Sequence, residues 1–266
     1  MVIVTAALGL AIGLVIGGLG GGGGALTVPA LVYLVGLSVQ DATTSSVIIV
    51  GISSLVGAAT RLRDVQWRTG LSFAAVGVPA AHLGSVLNQQ ASRPVVLTTF
   101  AVMTVLVAVA MLLEGRADCP EPADAAPPSG AVLVAPPAVR RRVLVRVGTV
   151  VGCGAAVGFL TGFLGVGGGF LVLPVLVIAL RMPLPTAIAT SLLIMVLNSA
   201  AAVASRSGDL VLDWAVVVPF TLASVAGTLL GRRVADRLSG AVLTRTFAIL
   251  LLMIGIFVGV ESVLGA

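Results

Sequence analysis

Apolar runs long enough to cross a lipid bilayer recur from one end of this 266-residue chain to the other, and they leave few folds open to it. A helix rises about 1.5 Å per residue, so roughly 20 apolar residues cover the about 30 Å of a bilayer's hydrocarbon core. The runs stand at about 2–19, 25–36, 44–60, 70–88 and 95–113, then at about 147–164, 169–180, 187–204, 214–231 and 242–260. Hydrophobic residues make up 58% of the chain and charged ones 9%, where soluble domains carry roughly 25%. A water-soluble body could not hide so much apolar surface. The fold class predicted is an all-α polytopic membrane protein.

The two sets of runs resemble one another. Residues 20–29, Gly-Gly-Gly-Gly-Gly-Ala-Leu-Thr-Val-Pro, align with residues 165–174, Gly-Val-Gly-Gly-Gly-Phe-Leu-Val-Leu-Pro, at an offset of 145. The same offset pairs Ser45-Ser46 with Thr190-Ser191, and Ser53-Ser54 with Asn198-Ser199. Between the sets, residues 114–146 carry Pro127-Pro128 and Pro136-Pro137 and read as an extended, solvated linker. The expected organisation is a first transmembrane repeat at 1–113, a Pro/Arg-rich cytoplasmic linker at 114–146, and a second transmembrane repeat at 147–266. Each repeat has about five segments, eight to ten in all, with glycine-rich helices that break or re-enter.

Arginine placement decides how the repeats are oriented. All fifteen basic residues are arginine. If each repeat changes sides five times, the linker, the loop at 61–69, the turn near Arg181 and the loop at 232–237 share one side and hold twelve arginines. The opposite side holds Arg93 and Arg206. The excess of positive charge on cytoplasmic loops favours this arrangement, with inverted repeats and both termini outside. The arginines stand between apolar segments rather than on one face with aromatics, so nucleic acid is not an expected partner.

Five glycines in a row disfavour a helix by roughly 1 kcal/mol each against alanine and expose backbone that lipid cannot satisfy. Such a break is tolerated where protein or a water-filled cavity surrounds it. The helix that restarts after it presents unpaired N–H groups and a partial positive charge, which suits an anion. The plainer reading, close packing of helices on small residues, needs spaced glycines rather than consecutive ones. Residues 18–23 also fit a dinucleotide-binding glycine pattern, but no strand precedes them and no cofactor is expected.

The candidate binding set is therefore the backbone of Gly22, Gly23, Gly24, Gly167, Gly168 and Gly169. Hydroxyls or amides of Ser45, Ser46, Thr190, Ser191 and Asn198 join it, the first four at the start of the third helix of each repeat, where capping is the competing role. His82 is the one ionisable residue well inside a predicted span and lacks an ionisable counterpart in the other repeat, so it is a candidate proton or gating residue. Arg61, Arg63 and Arg206 stand where two entrances would lie, with Arg61 and Arg206 the gating candidates; topology and lipid phosphate contact are their plainer roles. Cys119 and Cys153 have neither disulfide nor metal spacing, and no metal site is expected.

No carboxylate stands mid-span, so a proton relay is poorly provided for, and the lack of nucleophile, base or metal ligands speaks against an enzyme. An anion leaving a negatively charged interior gains about 2.3 kcal/mol per charge per 100 mV, so export needs no coupling machinery.

The duplicated break with its proline, residues 20–29 and 165–174, together with Ala42-Thr43-Thr44-Ser45-Ser46 and Ala189-Thr190-Ser191, resembles the TauE/SafE family of sulfite exporters. The resemblance implies a multi-pass inner-membrane transporter for sulfite, a sulfonate or a related organosulfur anion, with no nucleotide-binding subunit of its own. On this reading one repeat rocks against the other and exposes the site alternately to each side. An anion channel of the same architecture and a non-transporting membrane scaffold are the alternatives. Flux beyond carrier turnover would mark the first and co-purification of a stable partner the second. The expected partners are the lipid bilayer and a small anion; self-association into a homo-oligomer is left open.

Overall fold

Each of the ten apolar runs folds as a helix. The computed structural model describes residues 2–21, 23–90, 93–114, 137–164, 169–205 and 213–264. In the first half these form α1 (Val2–Leu19), α2 (Gly23–Pro29), α3 (Val39–Thr60), α4 (Trp67–Gln90) and α5 (Arg93–Glu114). In the second they form α6 (Pro137–Leu164), α7 (Gly169–Ile178), α8 (Leu184–Ser205), α9 (Trp214–Ala235) and α10 (Gly240–Leu264). Among the described residues there is no strand. Stretches within α3, α4, α8, α9 and α10 are long and apolar enough to cross a membrane on their own. Leu83, Leu106, Leu222 and Met253 point outward from the bundle, as lipid-facing side chains do.

Helix starts differ from the sequence expectation in two places. Ser38 Oγ accepts from the Asp41 N–H, so α3 begins at Val39 and the hydroxyl cluster at 43–46 lies inside it. Thr190 and Ser191 likewise stand within α8, which starts at Leu184. None of them opens its helix or caps it. In the stretch read as linker, α6 begins at Pro137. Proline suits a first helical turn, where its missing N–H costs nothing, so the proline pair marks a helix start there. The remainder of that stretch, residues 115–136, lies outside the described residues.

The halves are interleaved through glycine ridges that sequence reading did not single out. Gly9, Gly13 and Gly17 of α1 lie against the carbonyls of Phe220, Ser224 and Thr228 of α9, where an added Cβ would come within 2.5, 2.1 and 2.0 Å. At offsets of 145 and 147 the arrangement repeats: Gly154, Gly158 and Gly162 of α6 lie against the carbonyls of Phe73, Gly77 and Ala81 of α4. Small residues every fourth position let helix backbones touch in lipid, where burial from water supplies no driving force. Residue numbers rise together along both contacts, so α1 runs parallel to α9 and α6 parallel to α4. The third and fifth helices pair with their counterparts in the opposite sense. Gly51, Ser54 and Gly57 of α3 meet Ser199, Met195 and Leu192 of α8. Gly255 and Gly259 of α10 meet Val105 and Ala101 of α5.

The short legs after the breaks end alike. Pro29 has no N–H to donate, and α2 widens into a π-helical turn over Ala30–Leu34. Gly36 then takes φ +82° while the Leu37 N–H closes on the Leu31 carbonyl at 3.1 Å. In the other half Arg181, 145 residues on, takes φ 47° and the Met182 N–H reaches the Leu176 carbonyl at 3.1 Å. This is the left-handed helix stop for which glycine is the preferred residue.

Candidate functional site

A mid-membrane helix break leaves carbonyls without donors at one end and N–H groups without acceptors at the other. At the end of α1 the chain turns at Gly20, whose φ of +63° a side chain would strain. The carbonyls stranded by that turn are met from elsewhere in the bundle. Arg61, which ends α3, donates through Nη2 to the Gly17 carbonyl at 3.5 Å, the group that the Gly21 N–H would reach in an unbroken helix. Ser191 Oγ, from α8, donates to the Gly20 carbonyl and lies 2.9 Å from that of Ile188.

The two breaks meet. A Cβ on Gly21 would stand 2.7 Å from the Gly169 carbonyl, and one on Gly169 would collide with the Met195 side chain. Gly20 packs on Ile188 and Gly169 on Met195, so the meeting point lies inside the bundle, between the second turn and the middle of α8. Gly23 starts α2 packed on Ile16 of α1, and Gly24 follows it, buried. Gly22, Gly167 and Gly168 lie outside the described residues, as does Arg206.

The polar candidates divide by what their side chains already do. Ser46 Oγ donates to the Thr43 carbonyl of its own helix. Thr190 Oγ1 donates to the Thr186 carbonyl and accepts the Gln66 N–H at 3.2 Å, which ties the loop after α3 to the first turns of α8. Ser45 Oγ and Asn198 Oδ1 are buried and have no hydrogen-bond partner among the described residues; Ser45 is 1% exposed. Buried polar atoms are rarely left so, and such an atom in a native fold calls for a ligand or water. Thr161 Oγ1 on α6 is the third of these atoms.

Sequence reasoning gave Ser53 and Ser54 only as counterparts of Asn198 and Ser199. Ser53 Oγ in fact donates to Ser224 Oγ of α9 at 2.9 Å, and Ser54 Oγ lies 3.9 Å from Met195 Sδ. Gly20 and Gly21 also belong to the break more directly than their omission from the candidate set implied. The five-glycine run was the available signal, and only the fold shows which of its members meet the other half.

His82 lies on the exposed face of α4, whereas the breaks are buried. Arg61 is 7% exposed, with its guanidinium 3.5 Å from an Asp236 carboxylate oxygen beyond the end of α9. Asp236 also pairs with Arg232 at 3.5 Å. Burial pushes the Arg61 pKa below its usual value and Asp236 opposes that shift; arginine's ordinary pKa is so high that the group stays charged. Arg63 is exposed in the same loop. The contact of Arg61 with Asp236 joins the loops at 61–69 and 232–237, and that of Gln66 with Thr190 holds the first of them to α8.

A polytopic helical bundle in which a short helix follows the first helix of each half, with Gly21 meeting the Gly169 carbonyl inside it, is an architecture that membrane transporters use. The chain belongs to the sulfite exporter TauE/SafE family, which matches it over residues 5–258. A probable membrane transporter protein of Xylella fastidiosa (strain 9a5c) is 30% identical over 96% of this chain and 94% of its own length. The probable membrane transporter protein YunE of Bacillus subtilis (strain 168) is 25% identical over 98% of this chain and 97% of its own. No solved structure matches the chain.

Proposed function

We propose that the protein carries a small anion, sulfite, a sulfonate or a related organosulfur anion, across the bacterial inner membrane, with the site between the two glycine breaks. The observation that carries this reading is the meeting of Gly21 with the Gly169 carbonyl inside the bundle. The unpartnered Ser45 hydroxyl supports it from inside α3. In the proposal the breaks supply backbone N–H groups, and Ser45 and Asn198 add side-chain contacts. The family's name, sulfite exporter, supports the substrate class.

The repeats are inverted in this reading. Equivalent helices that cross antiparallel, α3 with α8 and α5 with α10, are what two oppositely oriented copies would give. The first helix of each half lies along the fourth helix of the other, so the bundle divides into two interlocked bodies that could rock about the breaks. The linker at 114–146 is cytoplasmic on the arginine argument.

The test is anion binding by the purified protein, read as thermal stabilisation by sulfite, sulfate, thiosulfate, a small sulfonate, phosphate and chloride, followed by flux in liposomes. A ligand that binds only the folded state raises its apparent stability. Selective stabilisation by a sulfur oxyanion, lost in Gly21→Val, is the expected result. Stabilisation and flux that survive Gly21→Val unchanged would remove the site.

A further inference from the structure

A break that receives an anion has to silence its own carbonyls. The last carbonyls of α1 carry the partial negative charge of a helix C-terminus, and they end beside the place where the two breaks meet. Gly17 is four residues from Gly21, about 6 Å of helix rise. The group that answers the Gly17 carbonyl is not another neutral donor but a full positive charge, brought 44 positions along the chain by the end of α3.

We infer that Arg61 is the specificity-determining residue that makes this break accept anions, and that Asp236 sets how much of its charge an anion feels. This rests on the anion-carrier reading above and names the residue that gives its site a sign.

Three features support it. Arg61 is 7% exposed, and a guanidinium so placed is costly unless paired and hydrogen-bonded; its partners are the Gly17 carbonyl at the break and Asp236. Its ion pair with Asp236 and its bond to the Gly17 carbonyl are equally long at 3.5 Å, and the carboxylate is 52% exposed and shared with Arg232, so Asp236 offsets only part of the charge. A planar guanidinium has five N–H donors, which leaves it the capacity to hold the helix end and still face an oxyanion. Direct contact with the transported anion is not required: the charge acts through the carbonyl end it neutralises. In sequence, Arg206 stands 145 positions beyond Arg61, at the corresponding place in the other half.

The experiment uses the full chain and sulfite as the probe. Half-saturating sulfite is measured for flux in liposomes, and for thermal stabilisation in detergent, with wild type, Arg61→Gln, Arg61→Lys and Asp236→Asn. Arg61→Gln is expected to raise the half-saturating concentration about fivefold, as for a charge acting from several ångströms away rather than through a direct hydrogen bond. Arg61→Lys should recover part of that loss by restoring the charge. Asp236→Asn should lower the half-saturating concentration, because the competing carboxylate charge is gone. A latch that merely held α3 to α9 would weaken in both Arg61→Gln and Asp236→Asn, so equal losses in the two overturn the inference, as does an unchanged Arg61→Gln. If Arg61→Gln does not fold, Asp236→Asn decides alone: tighter sulfite binding sustains the inference and unchanged or weaker binding ends it. Wild-type protein that neither binds nor carries any anion would dismiss the carrier reading itself, and that outcome is read without any variant.

Discussion

Ser191 Oγ donates to the main-chain carbonyl of Gly20, a residue 171 positions earlier in the chain and in the other half of the protein. The bond closes one stranded carbonyl of α1 with a side chain of α8, and so makes the break in the first half depend on the second. Ser191→Ala should leave that buried carbonyl unpaired, at a cost of about 1–3 kcal/mol. Ser46 is its counterpart in the first half, but its hydroxyl donates to the Thr43 carbonyl of its own helix. Melting temperatures in detergent should therefore fall clearly for Ser191→Ala and little for Ser46→Ala. A similar loss in both would mean that the bond across the halves does not stabilise the break.

Within the single helix α6, two glycines should answer the same substitution in opposite ways. A Cβ on Gly158 would lie 2.2 Å from the Gly77 carbonyl, and one on Gly152 meets nothing within 4 Å. Gly158→Ala should force α6 off α4 and destabilise by about 1–3 kcal/mol, the usual cost of overpacking. Gly152→Ala should be neutral or stabilise by up to about 1 kcal/mol through helix propensity. Folded yield and melting temperature of the two variants check this directly. A harmless Gly158→Ala would contradict the close approach.

Arg181 holds a left-handed backbone where the first half has Gly36. An L side chain there costs roughly 1–2 kcal/mol, so Arg181→Gly should raise stability, offset in part by the greater freedom of glycine in the unfolded chain. A melting temperature below wild type would show that the exposed Arg181 side chain makes a compensating interaction.

Ser45 and Thr190 occupy equivalent places in the two halves and should separate affinity from stability. The Ser45 hydroxyl has no partner, so Ser45→Ala should leave the melting temperature unchanged or slightly raised while weakening anion binding. Thr190→Val removes the acceptor for the Gln66 N–H and should cost about 1 kcal/mol of stability. Binding titrations and melts on both variants form the comparison. If Ser45→Ala binds anions as wild type does, its hydroxyl is not part of the site.

The spans were legible because lipid makes their chemistry monotonous: among the described residues ten apolar runs, cut by polar turns, became helices with ends moved by a few residues, except that α6 starts ten residues early at Pro137. The breaks were legible for a related reason, since consecutive glycines have few other uses at that depth. What the sequence hid were relations with partners far along the chain. The spacing of Gly9, Gly13 and Gly17 was visible, but a glycine's use depends on the carbonyl it meets, and Phe220, Ser224 and Thr228 stand two hundred residues away. The hydroxyl cluster at 43–46 looked like a helix start because apolar residues follow it, while the cap was Ser38, hidden in a polar turn. Thr190 resembled its neighbour Ser191 in type and place, yet one holds a loop and the other a helix break. Arg61 read as a gating or topology residue at an entrance, and its bond to the Gly17 carbonyl, 44 positions away, left no trace in the sequence.

The parallel contact between α1 and α9 also has a history, because the chain is made in order. Translation adds about 5–20 residues per second, so roughly ten to forty seconds pass between the synthesis of α1 and that of α9. Through that interval the first helix has been made and the surface it is shaped to touch has not. Its glycine ridge is an open seam that a neighbouring protein or an insertion chaperone can occupy first, and a message cut short before α9 yields a helix with nothing to close on.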